Sequence, residues 1–411
     1  MTETPLHDPA LRAALAADAR AQIAFFRASL NAGGGFDLLD HDRRPVPDHP
    51  QELHATTRLV HSYALAQVWG APDCTPIIDA GMAALWQRHR DAVHGGYVWS
   101  IGPEGIRDDT KLAYGHVFVL LAAASASAVG HDDAPRLLAD IEGVIDARFW
   151  DDTRGLLREE YRRDWRGFST YRGMNANMHG TEALLAAFEA TGREVFLHRA
   201  GRILDFFTRQ IAPAHGWRIP EHFTEDWQID PAHEGNPMFR PAGTTPGHAL
   251  EFARLILQHW ELTGRADPDA PAIARALVTT ALRDGWRADG GIVYTVAPDG
   301  AVLRPNRYWW PVTEAMGALA ALLKCDPQPQ DAAWFRRAWA FAQAHFIDHD
   351  RGGWFPEIGD TGQPVTAQFL GKPDIYHSLQ AVLYPLADRV AWPLRPGADR
   401  VRQADLAAGP A

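Results

Sequence analysis

The chain of 411 residues carries 40 Lys+Arg against 51 Asp+Glu, a formal net charge of −11, with 46% hydrophobic and 22% charged residues. This composition fits a soluble globular protein with a large core, and the acidic surplus argues against a general binder of nucleic acid or anionic membranes, which needs a basic face. No apolar run reaches the ~18 residues of a membrane span, the start lacks a secretory pattern, and two cysteines, Cys74 and Cys325, build neither a disulfide framework nor a zinc ribbon; a cytoplasmic location is expected.

Taken in chain order, helical segments alternate with glycine turns. Arg12–Leu30 runs into Gly33-Gly34-Gly35-Phe36, Pro76–Arg90 into Gly95-Gly96-Tyr97, and Ala134–Phe149 into Gly155-Leu156-Leu157. Glu194–Ile211 precedes Gly216-Trp217, Ala270–Trp286 precedes Gly290-Gly291-Ile292, and Asp331–Phe346 precedes Gly352-Gly353-Trp354. The copies recur roughly every 60 residues, with a longer step from Gly216 to Gly290. Apolar positions three and four apart make these segments amphipathic helices.

The segments that follow the glycines are more evenly apolar, as buried helices are: Leu112–Ala128, Glu182–Ala190, His248–Trp260, Val312–Leu323 and Ile375–Ala387. Pro246, Pro311 and Pro373 fit first-turn positions. The run Gly291–Val296 reads as a strand, with Pro298-Asp299-Gly300 as a hairpin turn. Six amphipathic helices alternating with six buried ones predict an all-α (α/α)6 barrel, with short β-hairpins in the loops at the active-site end. Residues 1–395 are expected to form one catalytic domain and 396–411 a flexible tail. An open α-solenoid is the rival architecture.

Because the hairpins feed into the buried helices, all six should begin at one end of the barrel. Aligned copies place a pair three residues apart on each: Arg58/His61, His116/Val119, His179/Glu182, His248/Glu251, Pro311/Glu314 and His377/Gln380. Spacing of three keeps both members on one helical face, and unpaired ionisable groups in apolar helices are costly. Histidine recurring at equivalent positions points to a shared polar pocket, whereas His89, His222 and the other histidines of turns and outer segments read as surface residues. Fifteen tryptophans supply core and also the stacking faces a sugar uses.

Three chemistries compete for that pocket. His-x-x-Glu pairs resemble bundle metal sites, although Arg58 in the same ring opposes a second cation. Glu182, Glu251 and Glu314 supply the paired carboxylates of a glycoside hydrolase, but leave the histidines without a role. Proton transfer at a carbon beside a sugar carbonyl uses the histidines directly, since an unperturbed pKa of about 6.5 lies near working pH. A sugar-binding module without activity is the non-enzymatic alternative.

Four stretches, Gly173–Ala183, Gly247–Phe252, Tyr308–Ala315 and Lys372–Ala381, resemble the N-acylglucosamine 2-epimerase superfamily, over about Phe26 to Ala387. The resemblance implies an (α/α)6 enzyme that acts on aldoses and ketoses without a metal or other cofactor, its expected partner a monosaccharide substrate and not nucleic acid or membrane, with monomer and homo-oligomer both open. It implies that His248 and His377 are the acid/base pair and that Arg58, Asn175, His179, Glu251, Trp310 and Glu314 bind or orient the sugar; His116 joins them from the repeat. Glu251, one turn from His248, is expected to hold that imidazole in one tautomer. The long stretch between Gly216 and His248, with Glu221, His222, Phe223, Trp227, Pro237, Phe239 and Arg240, either closes over the substrate or packs against a neighbouring subunit. Within the superfamily, a long loop here resembles mannose and sulfoquinovose isomerases more than 2-epimerases. Interconversion of D-mannose and D-fructose is therefore the leading expectation, with 2-epimerisation and sulfoquinovose isomerisation as alternatives.

Overall fold

The computed structural model describes residues 4–233, 235–236 and 238–392. Twelve helices of ten residues or more lie among them: α1 (Pro9–Phe26), α2 (Leu53–Val68), α3 (Thr75–Ala84), α4 (Ala113–Ala128), α5 (Ala134–Val144), α6 (Met174–Thr191), α7 (Glu194–Leu204), α8 (Pro246–Leu262), α9 (Ala270–Gly285), α10 (Trp309–Cys325), α11 (Pro329–His345) and α12 (Tyr376–Leu386). The even-numbered helices form an inner ring in which each packs on its two neighbours, and α12 closes the ring against α2. The odd-numbered helices form the outer wall, with α1 seated on α12. This is the (α/α)6 barrel.

Composition sorts the helices between the two walls. Every residue of α10 from Trp309 to Leu323 is buried, whereas α7 buries one stripe, Phe196, Leu197, Ala200, Ile203 and Leu204, as a helix with one wet face must. Links from inner to outer helices are short. Gly192 joins α6 to α7 at φ +71°, the left-handed conformation that commonly ends a helix. Among the described residues no helix is long and apolar enough to cross a membrane.

The outer-to-inner links are long, and they carry the strands. Gln51–Glu52, leading into α2, pairs with Ser100–Gly102; Lys111–Leu112, leading into α4, pairs with Glu160–Tyr161; and Arg172–Gly173, leading into α6, pairs with His222–Phe223. Thr244 bridges to Val296, Tyr308 pairs with Glu357, and Lys372 bridges back to Leu39. Each link is thus stitched to the next by antiparallel pairing, and the last to the first. The result is a closed collar around the end where the inner helices begin. The predicted hairpin is present as Val293–Val296 paired with Val302–Tyr308. It follows Gly290 and Gly291 at φ +93° and +79°, where a side chain would also strike Phe341.

Several boundaries differ from expectation. Helix α6 begins at Met174, eight residues before Glu182, and α2 is a full inner helix that the apolar segments alone did not reveal. Pro311 stands in the first turn of α10, but Pro373 precedes α12, whose last turn holds Pro385 instead. The proposed tail, 396–411, and Pro237 lie outside the described residues.

Candidate active site

A cavity of about 350 Å³ opens inside the collar and is lined from all six inner helices. Arg58, Asn175, His179, His248, Glu251, Trp310 and His377 border it, so the barrel gathers seven of the nine sequence-predicted site residues. A wider groove of about 870 Å³ on the outer wall, beside α7, brings no comparable set of buried polar groups together.

His248 and His377 share one arrangement. Nδ1 of His377 donates to Glu314 at 2.8 Å, and Nδ1 of His248 donates to both oxygens of Glu221 at 3.0 Å. Each imidazole is thereby fixed by its own carboxylate, which leaves Nε2 for the cavity. Trp310 lies between them, stacked on His248 at 5.0 Å and 5.9 Å from His377. Burial lowers His377 to about 3, so this imidazole is neutral and competent to accept a proton.

The carboxylate that orients His248 is therefore Glu221, not Glu251. A glutamate one turn along a helix shares its face, but Glu251 turns to the cavity floor, 3.4 Å from Nδ1 of His179 and 3.7 Å from Arg254. Glu221 arrives from the link before α8 and also accepts from the backbone N–H of Thr245 at 3.0 Å, tying that link to the start of the helix. Its signal in the sequence was only its place within the long stretch after Gly216.

His116 is brought elsewhere. Its Nδ1 donates to the Leu112 carbonyl at 2.7 Å and its Nε2 accepts from the Tyr97 N–H at 3.0 Å, so both nitrogens are consumed by backbone outside the cavity. The cause is register. Counted from the first residue of each of the first five inner helices, α2 to α10, the sixth positions are Arg58, Phe118, His179, Glu251 and Glu314. The inner-wall member of α4 is Phe118, packed 4.7 Å from the His179 ring. His89 and His222, expected at the surface, are buried; His222 accepts and donates between Tyr171 and the Pro241 carbonyl.

Arg58 donates to Asp374 at 2.7 Å and to the Tyr114 hydroxyl at 2.9 Å, with its guanidinium 4.6 Å from the ring centres of Phe118 and Tyr376. Asp374 also accepts the Tyr376 N–H at 3.0 Å, so one carboxylate both ties down the first amide of α12 and aims Arg58. The other lining cation, Lys372, is held by Asp348 at 2.7 Å. Oδ1 of Asn175, Nδ1 of His54 and Nε of Arg58 are buried without a hydrogen-bond partner in the protein, polar atoms suited to sugar hydroxyls. The tip of the long link closes one side through Asn236, Met238 and Phe239. Arg240 pairs with Glu160 at 2.6 Å and lies 4.0 Å over Tyr171, so it braces the link rather than lining the cavity.

Beneath the cavity, Glu182, Glu251 and Glu314 surround Arg254. His179–Glu182–Glu251 and Glu251–Glu314–His377 are each close enough to share a metal ion, but the Arg254 guanidinium supplies a positive charge 3.4 Å from Glu182 and 3.7 Å from the other two. The three glutamates converge there instead of facing one another across the cavity, where glycoside hydrolysis would require a pair.

The model of the N-acylglucosamine 2-epimerase (GlcNAc 2-epimerase) family matches residues 34–381. The chain belongs to this family. It is 40% identical over 390 residues to a D-mannose isomerase of Thermobifida fusca, covering 91% of this chain and 94% of that one. A D-mannose isomerase of Pseudomonas cannabina pv. alisalensis is likewise 40% identical, over 93% of this chain and 94% of its own. A crystal structure of D-mannose isomerase superposes with a TM-score of 0.84 at 29% identity, covering 90% of this chain and 97% of that one. Cellobiose 2-epimerase from Spirochaeta thermophila shares the fold, with a TM-score of 0.82 at 23% identity over 93% and 98% of the two chains. The protein is thus an enzyme of the aldose–ketose isomerase and 2-epimerase group, acting on a small sugar.

Proposed function

We propose that the cavity interconverts D-mannose and D-fructose without a metal. The observation that carries this reading is the pair of imidazoles flanking Trp310, each with Nδ1 held by a separate buried carboxylate. Two such groups are what ring opening followed by proton transfer requires. His248, backed by Glu221, exchanges a proton with the sugar's ring oxygen or anomeric hydroxyl and opens the pyranose. His377, backed by Glu314, takes the proton from C2, giving an enediolate, and returns it to C1, while the O2 hydroxyl proton passes to O1; electrons from the C2–H bond become the C1–C2 double bond and then the new C1–H bond, and those of the O2–H bond form the C2 carbonyl. Arg58 and the N-termini of the inner helices put positive potential where the enediolate oxygens charge up.

The lining argues for an uncharged sugar. Both of its cations, Arg58 and Lys372, are already paired with Asp374 and Asp348, and Arg240, the other candidate partner of a sulfonate, is spent on Glu160. The tip at Asn236, Met238 and Phe239 narrows the space in which an opened sugar can turn, which favours transfer along one face from C2 to C1. The test is to incubate mannose, fructose, glucose and sulfoquinovose separately in D2O and follow products by NMR. Mannose and fructose should interconvert, and His248→Ala and His377→Ala should each lose about 10²-fold or more in turnover. A C2 epimer as the principal product, or near-normal turnover in either variant, would overturn the reading.

A further inference from the structure

Glu182 of α6, Glu251 of α8 and Glu314 of α10 converge on one guanidinium. Arg254, three residues beyond Glu251, places Nη2 3.4 Å from Glu182 and 3.7 Å from Glu251, and Nε 3.7 Å from Glu314. It is 1% exposed and lies 4.6 Å over the Tyr384 ring of α12. The other titratable groups around Glu314 are His179 on α6, His248 on α8 and His377 on α12. Tyr376 on α12 donates to Glu182. Arg58, across the cavity, is committed to Asp374.

Three buried carboxylates around one guanidinium cannot all hold full charge. Burial opposes the charge of Glu182, but His179 and Arg254 more than offset it and hold that carboxyl below its ordinary range. Burial, with Glu314 and Glu182 alongside, pushes Glu251 well up, so it carries a proton. Glu314 falls between them: burial pushes it up to about 7, against the pull of Arg254.

The state of Glu314 decides what His377 is able to do. As a carboxylate it accepts from Nδ1–H, and the Nε2 lone pair is presented as a base. As a carboxylic acid it donates to Nδ1, the imidazole proton sits on Nε2, and no base remains. We infer that Arg254 is a positioning residue that keeps Glu314 ionised, and so keeps His377 in the tautomer that accepts the sugar's proton. The inference rests on His377 being the proton carrier proposed above. Arg254 acts from α8 on α12 through α10 and does not border the cavity.

The experiment is the pH dependence of kcat/KM for the parent, Arg254→Gln and Arg254→Lys on mannose, with folding checked by circular dichroism. Loss of the cation should move the acidic limb upward by about one pH unit or more, the usual effect of a charge at this range, with activity recovering at alkaline pH. Lysine should return the limb toward that of the parent. A folded Arg254→Gln enzyme whose rate falls evenly at every pH, its limb unmoved, would overturn the inference. Should that variant not fold, Glu314→Gln decides: the acidic limb must vanish from its residual activity, and a persisting limb overturns the inference. His377→Ala is run alongside; turnover retained there removes the proposed function itself, whereas an inactive His377→Ala with an unmoved Arg254→Gln limb removes the role of Arg254 alone.

Discussion

Replacing Glu221 by glutamine exchanges one oxygen for an NH2 group and should disable His248. In the parent, Oε1 accepts from the Thr245 N–H and both oxygens lie 3.0 Å from Nδ1 of His248. An amide that keeps its oxygen on Thr245 brings its NH2 group to about the same distance from Nδ1–H, donor against donor. The imidazole relieves this by moving its proton to Nε2, the atom proposed to work on the sugar. The lost charge-assisted bond alone is worth roughly 1.5–3 kcal/mol, or about 10- to 150-fold at 1.36 kcal/mol per decade. Full loss of acid–base action extends this to about 10⁴. Glu221 does not border the cavity, so KM should hold within about threefold while kcat falls. Initial rates of fructose formation over a range of mannose concentrations, with circular dichroism as a folding control, make the measurement. A kcat within about threefold of the parent would show that the tautomer of His248 is not what Glu221 supplies.

Three further outcomes are expected. Gly247→Ala would set a methyl 2.3 Å from the Trp310 ring, an overpacking cost of about 1–3 kcal/mol; kcat/KM should fall about tenfold or more as the indole leaves His248, and an unchanged value would refute the role of that stack. Asp18 accepts from Trp354 at 2.9 Å and Gln22 at 2.7 Å through one oxygen, and burial raises its pKa from 3.8 to about 6. A carboxyl raised on folding stabilises only while protonated, fully below its unfolded pKa and progressively less as pH rises through about 6. Asp18→Asn, which keeps the accepting oxygen, should therefore match the parent near pH 4 and exceed it by up to about 3 kcal/mol above pH 7; a gap independent of pH in thermal melts would contradict this. Exhaustive chelation should leave turnover unchanged, because Arg254 already fills the cationic role among the floor carboxylates; loss of activity restored by added divalent metal would promote the metal-ion reading.

Much of this architecture was legible because it repeats. A glycine turn in each copy marks where the chain reverses, and evenly apolar segments such as Val312–Leu323 can only be inner helices. Along one helix, spacing of three found His179/Glu182 and His248/Glu251. It failed where partners come from different links or helices: Asp374 meets Arg58 across 316 residues and Glu314 meets His377 across 63. Arg254 looked like any helical arginine until three helices placed their carboxylates around it. His116 misled because a repeat aligned by residue type can slip by two positions, and only the observed start of α4 restores Phe118 to the inner wall.

Both the inner ring and the collar are completed by the chain's last described segment: α12 closes on α2, and Lys372 on Leu39. During translation the cavity therefore has no far wall, and no His377, until α12 has left the ribosome, after the other five inner helices. The same topology brings the first and last helices side by side, with Arg12 donating to the Leu386 carbonyl. Linking the chain across the adjacent α1 and α12 and opening it at a short inner-to-outer turn, such as Gly192-Arg193, would give a permuted polypeptide in which α6 and α7 make the final join.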